Sequence, residues 1–257
     1  MRLLLGIPTA GSPAPEFTAS LSKLRLPKGI VGFDRHIVTG NFIPAERDLL
    51  VERAIAGRAD VLIMCDDDMV LPADAFIKLC ETLFASDRLA AVGALYYSRD
   101  GLRPMAVDGW DPHDTTTAHI PGFDDHTPVE VDGVGFGCVA LRVAMLELLE
   151  RPYFSAHVFV ESAQGRVRVC DEDYLLCARL RAHGHTVALH PGVRCGHVDR
   201  ASQTIAPAVW EPVATSREPR MVALVDGIAT LVPVDQSTPH AVEEHLPGRI
   251  DYVIVNS

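Results

Sequence analysis

Three consecutive carboxylates, Asp66, Asp67 and Asp68, sit in the stretch Met64-Cys65-Asp66-Asp67-Asp68-Met69-Val70, directly after the apolar run Val61-Leu62-Ile63. A run that short and that aliphatic reads as a buried strand, and acids at its C-terminal end fall where open α/β sheets bind ligands. Adjacent carboxylates repel one another, so the trio predicts water or a bound cation that absorbs the repulsion. Oxygen ligands favour Mg2+ or Mn2+. The competing reading is a solvated acidic turn. A second acidic group, Asp171-Glu172-Asp173, opens a helical pattern that carries Leu176 and Leu180 and closes at His183-Gly184. Acids in a first turn are favoured by the helix dipole, so helix capping and proton transfer both stand as roles for it.

The elements that must position these acids follow from the pattern around them. Leu3-Leu4-Leu5-Gly6-Ile7 reads as a first buried strand ending in Pro8-Thr9-Ala10-Gly11, a turn that leaves backbone groups free for a ligand. His36-Ile37-Val38-Thr39 is a second strand, and Pro44 opens a helix that Gly57 stops. The acidic strand comes next, so the opening is that of a parallel, doubly wound sheet. Pro72 begins a further helix with Phe76, Leu79, Cys80 and Leu83 at helical spacing, and Ala90 to Leu95 is another strand. From Ser98 to Pro128 periodicity fails, which predicts a long functional or mobile loop. Val129 to Cys138 reads as one alternating strand running into Gly133, Gly135 and Gly137, with a helix around Ala144 to Leu149 behind it. Thr186 to His190 is the last strand of the main sheet. Pro207, Pro212 and Pro219 then punctuate a linker, and Met221 to Val232 and Asp251 to Val255 read as strands of a small appendage. The expected fold is α/β, an open, mostly parallel, doubly wound (Rossmann-like) sheet over residues 1–200, with a linker and small C-terminal β appendage over 201–257.

Composition narrows the function. A formal charge of −11 argues against nucleic acid and anionic membrane surfaces as partners. No apolar run approaches transmembrane length, and Gly6, Pro8 and Gly11 interrupt the N-terminal one before it reaches a signal-peptide core. The six cysteines form no Cys-x-x-Cys pair and mostly lie in apolar stretches, which reads as reduced core thiols in a cytoplasmic protein and against zinc.

Taken in order, these features resemble the GT-A glycosyltransferases, and within them the family-2-like branch of bacterial and phage genomes. The matching stretches are Ala45-Glu46-Arg47-Asp48, Leu62 through Pro72, Val131 through Gly137, and Asp171-Glu172-Asp173-Tyr174 through Arg179, Gly184 and Gly196-His197. The resemblance spans residues 1 to about 200. It implies a metal-dependent transfer of a sugar from a nucleotide-diphosphate donor to an acceptor hydroxyl. Asp68 would be a metal ligand, Asp66 would hold the ribose or share the metal, and His197 would be the third protein ligand, an imidazole that favours Mn2+ over Mg2+. Pro8 and Thr9 lie where the family cradles the nucleobase. Arg47, with Asp66 and Asp67, would contact the donor, although Asp48 stands where the family often has Asn. Gly135 would let the backbone approach the donor sugar. Asp173, paired with Glu172, matches the general base of inverting members. The acceptor would be a small molecule, a glycan or a protein, and homo-oligomerisation stays open.

Two rivals remain at this level. Asp66-x-Asp68-x-Val70 also fits the nucleophile motif of haloacid-dehalogenase-type phosphatases, with Asp66 phosphorylated, but that motif usually ends the first strand of its domain. The other rival is a non-catalytic nucleotide-sugar-binding module on the same scaffold.

Overall fold

A computed structural model describes residues 1–110, 119, 121–124, 126–155, 158–162, 165–170, 172–206, 220–225, 228–233 and 250–254. β1 (Arg2–Thr9) is buried from Leu3 onward, and α1 (Pro15–Leu21) follows in what reads from sequence as a linker. β2 (Gly32–Thr39) leads to α2 (Ile43–Ala56), which takes proline in its first turn and ends at Gly57, whose N–H bonds back to the Arg53 carbonyl. Then come β3 (Val61–Cys65), β4 (Met69–Val70), α3 (Ala75–Leu83) and β5 (Leu89–Leu95). The glycine-rich middle holds β6 (Ala106–Val107), β7 (Val129–Val131), β8 (Gly133–Val134), β9 (Cys138–Arg142) and the single turn α4 (Val143–Leu146). A hairpin of β10 (Val158–Ser162) and β11 (Gly165–Cys170) precedes α5 (Glu172–Ala182), β12 (Thr186–Arg194), β13 (Gly196–Asp199) and β14 (Thr204–Ala206). Last are β15 (Arg220–Val225), β16 (Ile228–Pro233) and β17 (Ile250–Ile254), an antiparallel three-stranded sheet in the region expected to be a β appendage.

The central sheet has seven strands in the order β2-β1-β3-β9-β5-β12-β7. β1 pairs in parallel with β2 and β3, and β12 with β5, while β9 and β7 run against their neighbours. The fold class is therefore the expected α/β open sheet, mostly parallel by strand direction. The pleat sorts each strand between two cores. Leu3, Leu5, Ile63 and Cys65 face one side with Phe17 of α1 and Phe76, Leu79 and Leu83 of α3. Leu4, Leu62 and Met64 face the other with Leu50 and Val51 of α2 and Leu176 and Leu180 of α5.

Three sequence expectations need correction. Val129 to Cys138 is not one strand. It breaks at Asp132, and again across Gly135 to Gly137 because those glycines lie flat against Tyr96, where a Cβ at Gly135 would strike its hydroxyl and one at Gly137 would come within 2.7 Å of its ring. The residues behind it, Cys138 to Arg142, form an antiparallel strand between β3 and β5 rather than leading straight into a helix, and α4 spans only four residues. The stretch from Ser98 is also partly ordered: Met105 N–H donates to Tyr96 O at 2.9 Å, and β6 pairs with β8. Residues 111–118, 120 and 125 of that expected loop lie outside the described residues. β14 pairs with β13, so strand pairing continues past residue 200.

Gly93, in the middle of β5, faces Val134, whose Cβ would stand 2.7 Å from an added methyl. A β-branched neighbour has little rotamer freedom to retreat. Gly93→Ala should therefore lower stability by roughly 1–3 kcal/mol, the usual overpacking penalty. Gly11→Ala, with nothing within 4 Å of the new methyl, should change it by a few tenths. Denaturant melts of the two variants side by side check the contrast.

Candidate active site

The acidic motif is held by backbone pairing at both of its ends. Asp66 N–H donates to Gly137 O at 3.0 Å, which extends the β3–β9 ladder by one residue. Beyond the turn, β4 pairs with β13 so that Met69 stands opposite His197, and Val198 N–H donates to Asp68 O at 2.8 Å. Sheet register, rather than a chance loop contact, thus brings His197 beside Asp68.

Each of the three acids has its own arginine. Arg47 donates to both oxygens of Asp66 at 3.0 and 3.3 Å, Arg200 to Asp67 at 2.6 Å, and Arg99 to Asp68 Oδ2 at 2.6 Å. In this structure guanidinium groups offset part of the trio's repulsion. They differ in environment: the side chain of Arg47 is 4% exposed, whereas those of Arg200 and Arg99 are 46% and 59% exposed. Thr9 Oγ1 also donates to Asp67, and Arg200 donates to Ser12 O at 2.9 Å, so the end of β1 is tied to the same turn.

Arg47 does more than neutralise Asp66. Its Nη1 donates to Glu172 Oε1 at 2.9 Å and to Asp173 Oδ1 at 2.6 Å, joining the strand end to the first turn of α5. Asp173 Oδ2 accepts the Phe136 N–H at 2.9 Å, which adds the glycine-rich segment. The guanidinium carbon lies 5.6 Å from the Phe136 ring and 5.9 Å from the Phe154 ring, so aromatic faces line its apolar side. One cation facing three carboxylates leaves a local excess of two negative charges. Burial pushes the Asp66 carboxyl up to about 6, even though Arg47 pulls it the other way. Burial, with Asp173 beside it, likewise raises Glu172. Burial alone would lower Arg47, but Asp173, Asp66 and Glu172 outweigh it and hold the guanidinium firmly charged.

Asp68 and His197 make the second half of the site. His197 Nδ1 lies 2.8 Å from Tyr97 O, and a carbonyl can only accept, so Nδ1 carries the hydrogen. In the neutral ring Nε2 is then the nitrogen with a lone pair, and it faces Asp68 Oδ2 at 3.5 Å. A shared proton or a metal ion reconciles two such atoms. Burial works against the charge on Asp68, but the His197 and Arg99 contacts prevail and keep it below the ordinary carboxylate range. Tyr96 packs edge-on against His197 at 5.6 Å and accepts the Gly137 N–H at 3.0 Å through its hydroxyl.

Of the residues singled out from sequence, the structure gathers Thr9, Arg47, Asp66, Asp67, Asp68, Glu172, Asp173 and His197 around one strand end. Pro8 is buried in β1 beside them, in register with Val38. Gly135 already donates its N–H to Met105 O at 2.8 Å. Asp48 is turned elsewhere: it accepts the Phe154 N–H at 2.8 Å and anchors the segment carrying that ring. Asp66, expected to hold the ribose or to share a metal with Asp68, is turned to Arg47, and among the described residues no group of three or more His, Cys, Asp or Glu side chains is arranged to hold a metal ion. Asp171 lies outside the described residues. Cys65, Cys80, Cys138, Cys177 and Cys195 are buried and outside any disulfide among the described residues, as their apolar surroundings in the sequence suggest. Sequence reasoning missed Arg99, Arg200, Tyr96 and Phe136. Only Phe136 carried a signal, as the aromatic residue between two glycines.

No family model matches the chain, and no curated protein matches it. Solved structures do. A197 from STIV aligns with a TM-score of 0.55 at 19% identity, over 82% of this chain and 96% of that one. GalNAc-T7, in a structure with UDP, GalNAc and Mn2+, aligns with a TM-score of 0.53 at 13% identity, over 78% of this chain and 44% of its own length. These likenesses define the fold, which is GT-A-like. Among the described residues no helix is long and apolar enough to cross a membrane.

Arg47→Met keeps most of the side-chain volume and strands three carboxylates. The expected loss is ~3–5 kcal/mol at neutral pH, as when one partner of a buried charge cluster is removed. A carboxyl raised by folding keeps its proton longer in the folded than in the unfolded chain, so stability tied to Asp66 is present at low pH and lost as pH rises through about 6. The penalty of Arg47→Met should accordingly shrink between pH 7.5 and pH 5. Chemical denaturation at both values measures it, and an equal loss at both would mean that Arg47 acts through its packing on Phe136 and Phe154.

Proposed function

We propose that the protein is a metal-dependent glycosyltransferase that moves a sugar from a nucleotide-diphosphate donor to an acceptor hydroxyl. The observation that carries this reading is the Arg47 bridge, which joins the acidic strand end to the Glu172-Asp173 pair and so unites a donor-side and an acceptor-side group in one site. The GT-A-like fold and the neighbour solved with UDP, GalNAc and Mn2+ support it.

Asp68 and His197 fit a divalent ion, since a carboxylate oxygen and an imidazole lone pair face each other at 3.5 Å with the imidazole tautomer fixed by Tyr97 O. Bound there, Mn2+ or Mg2+ would supply positive charge against the charge that develops on the diphosphate leaving group. The chain's own residues supply the rest. Thr9 and Pro8 close the base-binding end of β1, and Asp67 is fixed by Thr9 and Arg200. Arg47 fixes Asp66 at the donor side of the site and holds Asp173, which takes the proton from the acceptor hydroxyl. Asp173 is steadied on one oxygen by Arg47 and on the other by the Phe136 amide, so its position is set before substrate arrives. Glu172, raised by burial and by its neighbour, supports the acceptor side.

The phosphatase alternative asks Asp66 to be a free nucleophile, whereas both of its oxygens are bonded to Arg47 and β3 follows two earlier strands. No observation favours it. The binding-module alternative is separated by turnover. Incubation with Mn2+ and a panel of nucleotide sugars and phosphomonoesters should release nucleoside diphosphate; phosphate release would favour the phosphatase, and binding without turnover the module.

Two predictions follow the division of roles. Asp68→Asn and His197→Ala should each weaken Mn2+ binding ~10-fold or more while leaving the fold intact; unchanged Mn2+ titrations would remove them from the metal site. Asp173→Asn should lower acceptor transfer by ~10²–10⁴-fold with donor affinity preserved. A helix-capping role for Asp173 would instead show as about 1 kcal/mol of lost stability with turnover intact, so melting and rate measured on one preparation decide.

A further inference from the structure

The Arg99–Asp68 pair has a property that neutralisation alone does not require. Arg99 Nη2 lies on Asp68 Oδ2, the same oxygen that His197 Nε2 faces. Asp68 is nearly buried, its side chain 6% exposed, whereas Arg99 comes in from solvent with 59% of its side chain exposed. Arg99 sits in the turn after β5, where Ser98 N–H and Arg103 O bond at 2.8 Å and Ser98 Oγ donates to Asp100. A stiff turn therefore carries a long, largely solvated arm whose tip rests on the proposed metal ligand. A guanidinium and a divalent ion drawn to that one oxygen repel each other at such short range, so they compete for it.

We propose that Arg99 is an internal counter-cation of the metal site that is exchanged on loading: a divalent ion takes Asp68, and the released guanidinium binds the diphosphate of the donor. This rests on the glycosyltransferase reading. The charges support the exchange. The chain carries a net −11, and the strand end itself presents three carboxylates, so an anionic donor needs cations that can turn toward it. Arg47 is committed to Asp66, Glu172 and Asp173 inside the protein, which leaves the exposed arms of Arg99 and Arg200 to face an arriving phosphate. A planar guanidinium suits the task because its paired N–H groups match phosphate oxygens as well as they match a carboxylate. The exchange makes metal and nucleotide binding mutually reinforcing, since each uses the partner that the other sets free, and such coupling is reciprocal.

The test measures Mn2+ affinity of the full chain, first alone and then with the best binder among UDP, GDP, CDP, ADP and dTDP. Arg99→Gln removes the competitor, so Mn2+ alone should bind about threefold tighter or more, the scale of losing one partly exposed ion pair. The tightening of Mn2+ that nucleotide produces in wild type should shrink in the same variant. Arg103→Gln, which removes a like charge from the same exposed turn, separates the contact from a general field effect and should move Mn2+ affinity less. Wild type that binds Mn2+ while Arg99→Gln binds it no more tightly, or no more tightly than Arg103→Gln, overturns the exchange alone. Absence of Mn2+ binding in wild type and variant alike overturns the glycosyltransferase reading and the exchange with it.

Discussion

A single guanidinium decides whether this site exists. Arg47 sits in the second turn of α2, nearly out of solvent, and its two amino groups meet Asp66 at the end of β3 and Glu172 and Asp173 at the start of α5. Those elements are far apart in sequence, and their acids would drive each other away without a cation between them. Lysine would not serve. A point charge on a flexible stem cannot address two directions at once, whereas the planar fork meets Asp66 with one arm and the Glu172-Asp173 pair with the other, and its faces lie against Phe136 and Phe154. The Phe136 amide then closes the circuit through Asp173.

The three acids of the motif occupy different electrostatic worlds despite adjacent positions in the chain. Asp66 lies where burial keeps its proton affinity high, and Asp68 lies where His197 and Arg99 keep it low. The chain turns through Asp66, Asp67 and Asp68 between β3 and β4, so one carboxylate serves the interior bridge and another the proposed metal. Adjacent groups driven toward opposite proton affinities are a common arrangement where one site needs both a structural charge and a reactive one.

Much of the architecture can be read from residue pattern, for physical reasons. β1, β3, β5 and β12 are built on apolar runs because both of their faces are buried; α2 carries proline in its first turn, and α3 carries apolar residues at helical spacing although it starts at Ala75 rather than at Pro72. The acidic motif, the acid pair and His197 stood out as residue types at strand and helix ends. What sequence could not give was anything created by tertiary approach. Arg99 and Arg200 lie 31 and 133 positions from the acids they meet and carry no local signature. β9 was obscured because Gly133, Gly135 and Gly137 suggest one extended strand, whereas the need to pass close beneath Tyr96 breaks it. α1 has seven residues, too few for periodicity to show.

The insertion of β9 between β3 and β5 also orders events during synthesis. β3 ends at Cys65 and β5 at Leu95, yet neither gains its neighbour on that side until Arg142 has been made. Until then a nascent chain holds two apolar strands with open edges, the kind of surface that invites pairing with other chains. Closure of such a long loop is entropically slow, and the strand that closes it arrives directly behind Phe136 and Gly137, which bond to Asp173 and Asp66. Pairing of β9 both fills the sheet's middle and sets the Phe136 amide and the Gly137 carbonyl against the acids, so a chain in which β9 is unpaired has neither a finished sheet nor an assembled site.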